Sequence, residues 1–331
     1  MRPAAVSYLS CPNCEAPLAL GQAGPEIDGH IMAGELVCTK SSCRYTIDEG
    51  VPLLVQSSVD PEKVETAQRF AEEWTRWNEL RAYYEAQFLG WIAPVSGDDF
   101  RGKLVLEGGC GKGRHTSVIA GFGAAAVVAI DLGQAAHVAF RNTRHLPNAH
   151  VVIGDLLRPP VRPVFDLGVS VGVIHHLPEP AAGFRSLASR VRHGGKVSIW
   201  VYGHENNEWI PRYVDPVRTA VTARLPPATL RALSAVPAAA LWAAIKTVYR
   251  NEVPDSIRGK LPYAEYFGSM GKFPFDEIHS IVFDQLVTPV AYYLRGDEVR
   301  DWFREGFSAS AVRWHNNYSW SAVGTIDRPA T

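Results

Sequence analysis

The stretch Lys103-Leu-Val-Leu-Glu-Gly-Gly-Cys-Gly-Lys-Gly113 runs an apolar strand into an acid, Glu107, and then into a glycine-dense turn. Gly109, Gly111 and Gly113 open backbone conformations closed to other residues and let main-chain N–H groups reach a ligand with no Cβ between. Such a turn suits a nucleotide-like ligand. Its spacing, Glu-x-Gly-x-Gly-x-Gly, departs from the Gly-x-Gly-x-x-Gly of a dinucleotide site and argues against a nicotinamide dehydrogenase. Acids recur at the ends of the next two apolar runs: Asp131 after Ala126-Val-Val-Ala-Ile130, and Asp155, preceded by Gly154, after His150-Val-Val-Ile153. A carboxylate about 20 residues beyond a glycine turn can accept hydrogen bonds from both hydroxyls of a ribose. Each acid alone would serve equally as a helix N-cap; together and in order they describe a site.

Four of the five cysteines fall in the first 43 residues, as Cys11-Pro-Asn-Cys14 and Cys38-Thr-Lys-Ser-Ser-Cys43. Two tight pairs in small turns can place four thiolates around Zn2+, and a closed four-thiolate shell is the structural kind. A disulfide framework is the alternative. No secretory apolar region follows Met1, so the expected compartment is reducing and cytoplasmic. The fifth, Cys110, lies inside the glycine turn and reads as a small buried filler.

Five apolar strands alternating with helical segments position these groups: the three above, Phe165 to Val171, and Lys196 to Tyr202 after Gly194-Gly195. The pattern predicts a doubly wound parallel sheet with its ligand at the strands' carboxyl ends. Upstream, a polar linker from Ser57 leads to Val64, Ala67, Ala71, Trp74, Trp77, Arg81, Tyr84, Phe88 and Trp91, whose spacing predicts one face of a single long helix. Some 90 residues then separate Gly203 from Leu294. Seven prolines from Pro211 to Pro262 divide them into short helices expected to lie over the pocket.

The glycine turn with Glu107 resembles motif one of class I S-adenosylmethionine-dependent methyltransferases, and Gly172-Val-Ile-His-His-Leu-Pro-Glu-Pro180 looks like the "HHLPDP" turn of their small-molecule branch. The resemblance implies a Rossmann-like, mostly parallel seven-stranded sheet completed by a last hairpin, Ala309 to Trp314 with Ser319 to Ile326, after a helix from Gly296. It implies S-adenosyl-L-methionine as cofactor, held by Glu107, Gly109, Cys110, Gly111, Gly113, Asp131, Leu132, Gly154, Asp155 and Val171, with Asp155 taking the adenine amino group. Similar enzymes carry a Phe-x-x-x-Trp lid, matched by Phe70 and Trp74, although the aromatic stripe read on its own is core. Residues 8 to 55 resemble the zinc-ribbon-like activator subunit of tRNA and protein methyltransferases, which implies a stabilising or partner-binding role. Phe283-Asp284, Pro289 and Glu298-Val299 match positions in methyltransferases of natural-product and polysaccharide pathways. The chain thus divides into a zinc-ribbon-like domain (1–56), a linker and aromatic helix (57–95), a cofactor-binding core (96–203), a helical substrate lid (204–294) and a closing helix and hairpin (295–331).

Lys and Arg total 33 against 34 Asp and Glu, so no global positive field draws nucleic acid. The longest apolar run, Ala232 to Ile245, contains Pro237 and is too short to span a bilayer; the expectation is a buried helix, with a membrane-facing one the alternative. A sulfonium is already a reactive methyl donor, so the protein's main task is to hold the acceptor in line. A hydroxyl acceptor would gain from a base, for which His175, His176, His279 and Asp284 are candidates. The reading that follows is methyl transfer to a small metabolite, most simply at oxygen. An RNA methyltransferase is the alternative, and a non-catalytic cofactor- or partner-binding module the further one; a homo-oligomer, or a protein partner through the zinc-ribbon-like domain, is compatible with each.

Overall fold

The computed structural model describes residues 1–56, 61–250, 253–258, 260–288 and 291–327; the linker 57–60 and Pro289 lie outside them. The N-terminal segment contributes six short strands: β1 (Leu18–Ala23), β2 (Glu26–Ile27), β3 (His30–Ile31), β4 (Gly34–Cys38), β5 (Arg44–Asp48) and β6 (Val51–Leu54). Helices α1 (Pro61–Arg76) and α2 (Tyr84–Ile92) follow. The core then alternates β7 (Leu104–Gly108), α3 (Arg114–Gly121), β8 (Ala126–Asp131), α4 (Ala135–Thr143), β9 (Ala149–Gly154), β10 (Phe165–Val171), α5 (Pro180–Ser189) and β11 (Val191–Tyr202). The insertion carries α6 (Asp215–Ala220), α7 (Pro227–Thr247), α8 (Asp255–Arg258), α9 (Ala264–Ser269) and α10 (Phe275–Val287), before α11 (Gly296–Trp302) and the hairpin β12 (Phe307–His315) and β13 (Ser319–Ile326).

The expected seven strands stand in the order β9-β8-β7-β10-β11-β13-β12, with β13 antiparallel to β11. Covered by α3 and α4 on one face and by the core shared with the N-terminal segment around Leu9 on the other, β8 and β9 are buried along almost their whole length, which is why they read as unbroken apolar runs. The order reverses between β7 and β10, and that switch point puts the ligand crevice above β7. The N-terminal strands do not stand apart. Leu53 and Leu54 of β6 pair in parallel with Ile153 and Gly154 of β9, extending the sheet to eleven strands. Leu9, Leu36 and Ile47 share one apolar core with Val128, Phe165 and Leu187 of the doubly wound unit.

Two expectations are corrected. The predicted long helix is two helices, because polar core groups capture the carbonyls at its break: the Lys112 ammonium donates to the Trp77 carbonyl and the Asn142 amide to that of Asn78, each at 2.8 Å. The apolar run Ala232 to Ile245 is buried along one stripe only, at Ser234, Ala238 and Ile245. It lies within the 21-residue α7, long and apolar enough to cross a membrane, of whose most apolar window only 22% is buried. Pro237 does not end this helix but sits inside it, on the exposed side, where the lost ladder bond faces outward.

Candidate active site

A cavity of about 210 Å³ opens at the carboxyl ends of the central strands. Its floor is the glycine turn. Gly109 has φ of +81° and Gly111 of +50°, in the left-handed region that glycine alone enters cheaply. A Cβ on Gly109 would come within 2.2 Å of Val173 Cγ2, and one on Gly111 within 3.0 Å of Trp74 Nε1. Asp131 pins the turn by accepting from the Gly111 amide at 2.8 Å and the Gly133 amide at 3.1 Å. Burial pushes this carboxyl up, and those amides partly offset the rise. Two amides leave lone pairs on the carboxylate for further donors such as sugar hydroxyls.

Most of the residues expected from sequence meet here. Gly109, Cys110, Gly111, Asp131, Leu132, Gly154, Asp155 and Val171 line the cavity, with Phe70 and Trp74 of α1 across its mouth. Asp155 is already engaged: Lys63 of α1 forms an ion pair with it, and the Leu157 amide donates to its other oxygen at 2.9 Å. Two residues fall elsewhere. Gly113 begins α3 behind the turn, where a Cβ would press on Ala139. Glu107, 1% exposed, lies beneath the turn and accepts from Thr116 Oγ1 at 2.5 Å. Burial lifts its pKa to about 8.

The candidate bases separate in the same way. Asp284 reaches the cavity because α10 presents Glu277, Ser280, Ile281 and Asp284 along one side, at helical spacing. Burial raises the Asp284 pKa to about 6, against the pull of Arg114 and Arg218. His279, one residue from Ser280, lies off that face; its Nε2 is 3.0 Å from Ser234 Oγ and from the Arg231 carbonyl. His175 is fully buried, with its ring 3.9 Å from that of Tyr202 and no hydrogen bond to either nitrogen. Burial holds it well below the ordinary histidine range, so it stays neutral and packs. His176 lines the cavity, its ring 5.1 Å from Phe70.

Sequence reasoning missed a set of polar residues in the wall. Glu73 of α1, 1% exposed, accepts from Ser280 Oγ at 2.6 Å and leaves Oε2 without a partner. Burial first and Asp284 second raise its pKa well above the carboxylate range. Lys112 donates to the Tyr84 hydroxyl at 2.8 Å, which donates to Glu277 at 2.8 Å; burial lowers the ammonium to about 8. The Arg114 guanidinium sits among the rings of Trp74, Tyr84 and Trp91 at 5.7, 5.5 and 5.3 Å. Glu73 was legible in principle, since it shares a helical face with Phe70 and Trp77 and is the acid in an aromatic stripe.

In the N-terminal unit the sulfurs of Cys11, Cys14 and Cys38 all lie within 4.8 Å of one another. Cys43 stands just outside this group, its sulfur 3.3 Å from Asn13 Nδ2. None of the five cysteines is bonded to another in the structure.

Residues 106–199 match the family model described as a methyltransferase domain. The tRNA U34 carboxymethyltransferase of Pseudoalteromonas atlantica is 31% identical over 110 residues, 31% of this chain and 34% of that protein. The ubiquinone biosynthesis O-methyltransferase of Neisseria meningitidis serogroup C is 30% identical over 169 residues, 47% of this chain and 63% of that protein. The chain thus spans from about a third to under two thirds of these curated relatives. The Haloferax volcanii complex of the Trm112 methyltransferase activator with a methyltransferase aligns at 12% identity and a TM-score of 0.44, over 82% of this chain and 100% of that one. Residues 106–199 of this chain thus match the methyltransferase domain that this family model describes.

Proposed function

We propose that the protein transfers a methyl group from S-adenosyl-L-methionine to a hydroxyl of a small metabolite. The observation that carries this reading is the convergence of two residue sets on one cavity of about 210 Å³: the glycine turn, Asp131 and Asp155, and the polar and aromatic wall of Trp74, Glu73, Asp284, Tyr202 and Tyr266. The donor fits the residues present: an alanine at Gly109 would fill the cradle, Asp131 has lone pairs in reserve, and the Glu73 oxygen is buried without a partner. The glycine turn and Asp131 would hold the nucleoside end. When bound, the cofactor supplies a methyl group on a sulfonium, electrophilic without further activation.

The chain's own residues then orient and deprotonate the acceptor. Asp284, with a pKa of about 6, is ionised near neutrality and takes the hydroxyl proton. Glu73, held protonated by its burial, keeps a second negative charge out of the same wall. Trp74 and Phe70 exclude water from the donor. In the N-terminal unit, Cys11, Cys14 and Cys38, with Cys43 beside them, would bind Zn2+. Such a site stabilises a segment too short to fold on its own core, and β6 passes that stability into the main sheet.

A second reading, methylation of RNA, is favoured by the tRNA U34 carboxymethyltransferase relatives. Incubation with labelled S-adenosylmethionine separates the two. Label in hydroxylated metabolites from a cell extract supports the first reading, and label confined to the tRNA fraction refutes it.

A further inference from the structure

Helix α7 breaks the usual rule for a helix at a protein surface. Leu230, Ser234, Ala238 and Ile245 form its buried stripe, against α10. The opposite side of such a helix ordinarily carries charged and polar residues. Here fourteen residues between Arg231 and Lys246 include no charge at all. The outer side presents Leu233, 58% exposed, and Val236, 75% exposed, among Ala232, Ala239, Ala240 and Ala243. Upstream, Trp209, Tyr213, Val217 and Val221 repeat every four residues and are also exposed.

The segment around α7 is rich in basic residues: Arg212, Arg224, Arg231 and Arg250 are exposed and Lys246 half-buried, while Arg218 is buried against Asp215. Arg224 and Arg231 stand at the amino-terminal end of α7 and Lys246 and Arg250 at its carboxyl-terminal end, with no acid on the helix between. An exposed apolar face bracketed by basic residues matches the surface of an anionic lipid bilayer, where acyl chains and negative headgroups lie side by side.

We propose that this face of the insertion docks on an anionic lipid bilayer, with α7 lying in the interface, Leu233 and Val236 in the acyl boundary and the basic residues among the headgroups. The helix does not cross the bilayer. Its inner side is committed to α10 through the Ser234–His279 hydrogen bond at 3.0 Å and the cluster of Ile245 with Met270, Phe273 and Ile278. A second copy of the chain is a poor occupant, because a two-fold interface would set the same basic ends against each other. RNA could use the charge and stack on the exposed rings of Trp209 and Tyr213, but the leucine, valine and alanine of the outer side of α7 offer it nothing. Docking would leave the α10 wall of the cavity one helix diameter, about 10 Å, from the lipid.

The test is sedimentation of the full chain with vesicles of phosphatidylcholine alone or mixed with phosphatidylglycerol. The protein is expected to sediment with the anionic vesicles, more weakly with neutral ones, and less as salt is raised. Leu233→Glu with Val236→Glu should weaken this about tenfold or more. Arg224→Gln with Arg231→Gln, at exposed sites outside the apolar face, should do the same. Circular dichroism and melting verify that each variant is folded; if the glutamates unfold the chain, the glutamine pair decides. Absence of sedimentation with anionic vesicles overturns the proposal. So does sedimentation unchanged in the folded variants. A dimer that the glutamates split, with vesicles unbound, would assign the face to a second copy, and capture of tRNA with vesicles unbound would assign it to RNA.

Discussion

Replacing Gly109 by alanine tests the glycine turn where the structure makes it most exacting. At φ of +81° an alanine pays the left-handed penalty of about 1–2 kcal/mol. Its Cβ would also stand 2.2 Å from Val173 Cγ2 and 2.5 Å from Cγ1. Neither neighbour can move freely, since Val173 packs against the main core, and overpacking of this kind costs about 1–3 kcal/mol. The combined loss is about 2–5 kcal/mol, or several degrees in melting temperature. Any relief by displacement of the turn would move the amide that Asp131 holds, so affinity for S-adenosylhomocysteine should fall as well. Thermal unfolding and titration calorimetry read the two effects. Adding Val173→Ala should restore the packing part and leave the left-handed part, a separation that a generally disordered turn would not show. A Gly109→Ala protein with wild-type melting and wild-type affinity would refute the reasoning.

Three further outcomes follow from the same geometry. Because burial raises Asp284 to about 6, the acid limb of kcat/KM should have its midpoint near that value. Asp284→Asn should lower the rate by about 10²–10⁴ and remove the limb; an unaltered pH profile would exclude Asp284 as the base. Glu107, raised from the ordinary 4.5 to about 8, binds its proton more tightly folded than unfolded, so it costs stability as pH climbs through that window. Glu107→Gln should flatten this decline in urea midpoint, and parallel slopes for the two proteins would contradict the assignment. Replacing Cys11 and Cys14 by Ser should empty the sulfur cluster and lower the melting temperature, as checked by elemental analysis; full zinc content in that variant would sink the ribbon site.

The sequence made the central strands and the glycine turn legible because parallel strands buried on both faces leave unbroken apolar runs, and because positive φ leaves glycine. Strand ends placed Asp131 and Asp155 at the cavity, whereas Phe70 and Trp74 were placed there by the resemblance to a Phe-x-x-x-Trp lid, since helical spacing alone would have assigned them to the core. What it concealed depended on distant partners. The break after Trp77 is made by Lys112 and Asn142, far along the chain. His279 and Asp284 looked alike as bases, yet only the register of α10 against α1 and α7 turns Asp284 inward and His279 toward Ser234. His175 carries no local sign that both of its nitrogens would be buried and unpaired. The apolar α7 looked like core, since composition reports hydrophobicity and says nothing about whether another element covers it.

The most direct test of the account is titration of the purified chain with S-adenosylhomocysteine, with NAD titrated in parallel. We expect saturable one-site binding of the thioether at about micromolar affinity, no binding of NAD, and marked weakening in Asp131→Ala without loss of fold. Binding of NAD, or no binding of S-adenosylhomocysteine by a folded protein, would contradict it.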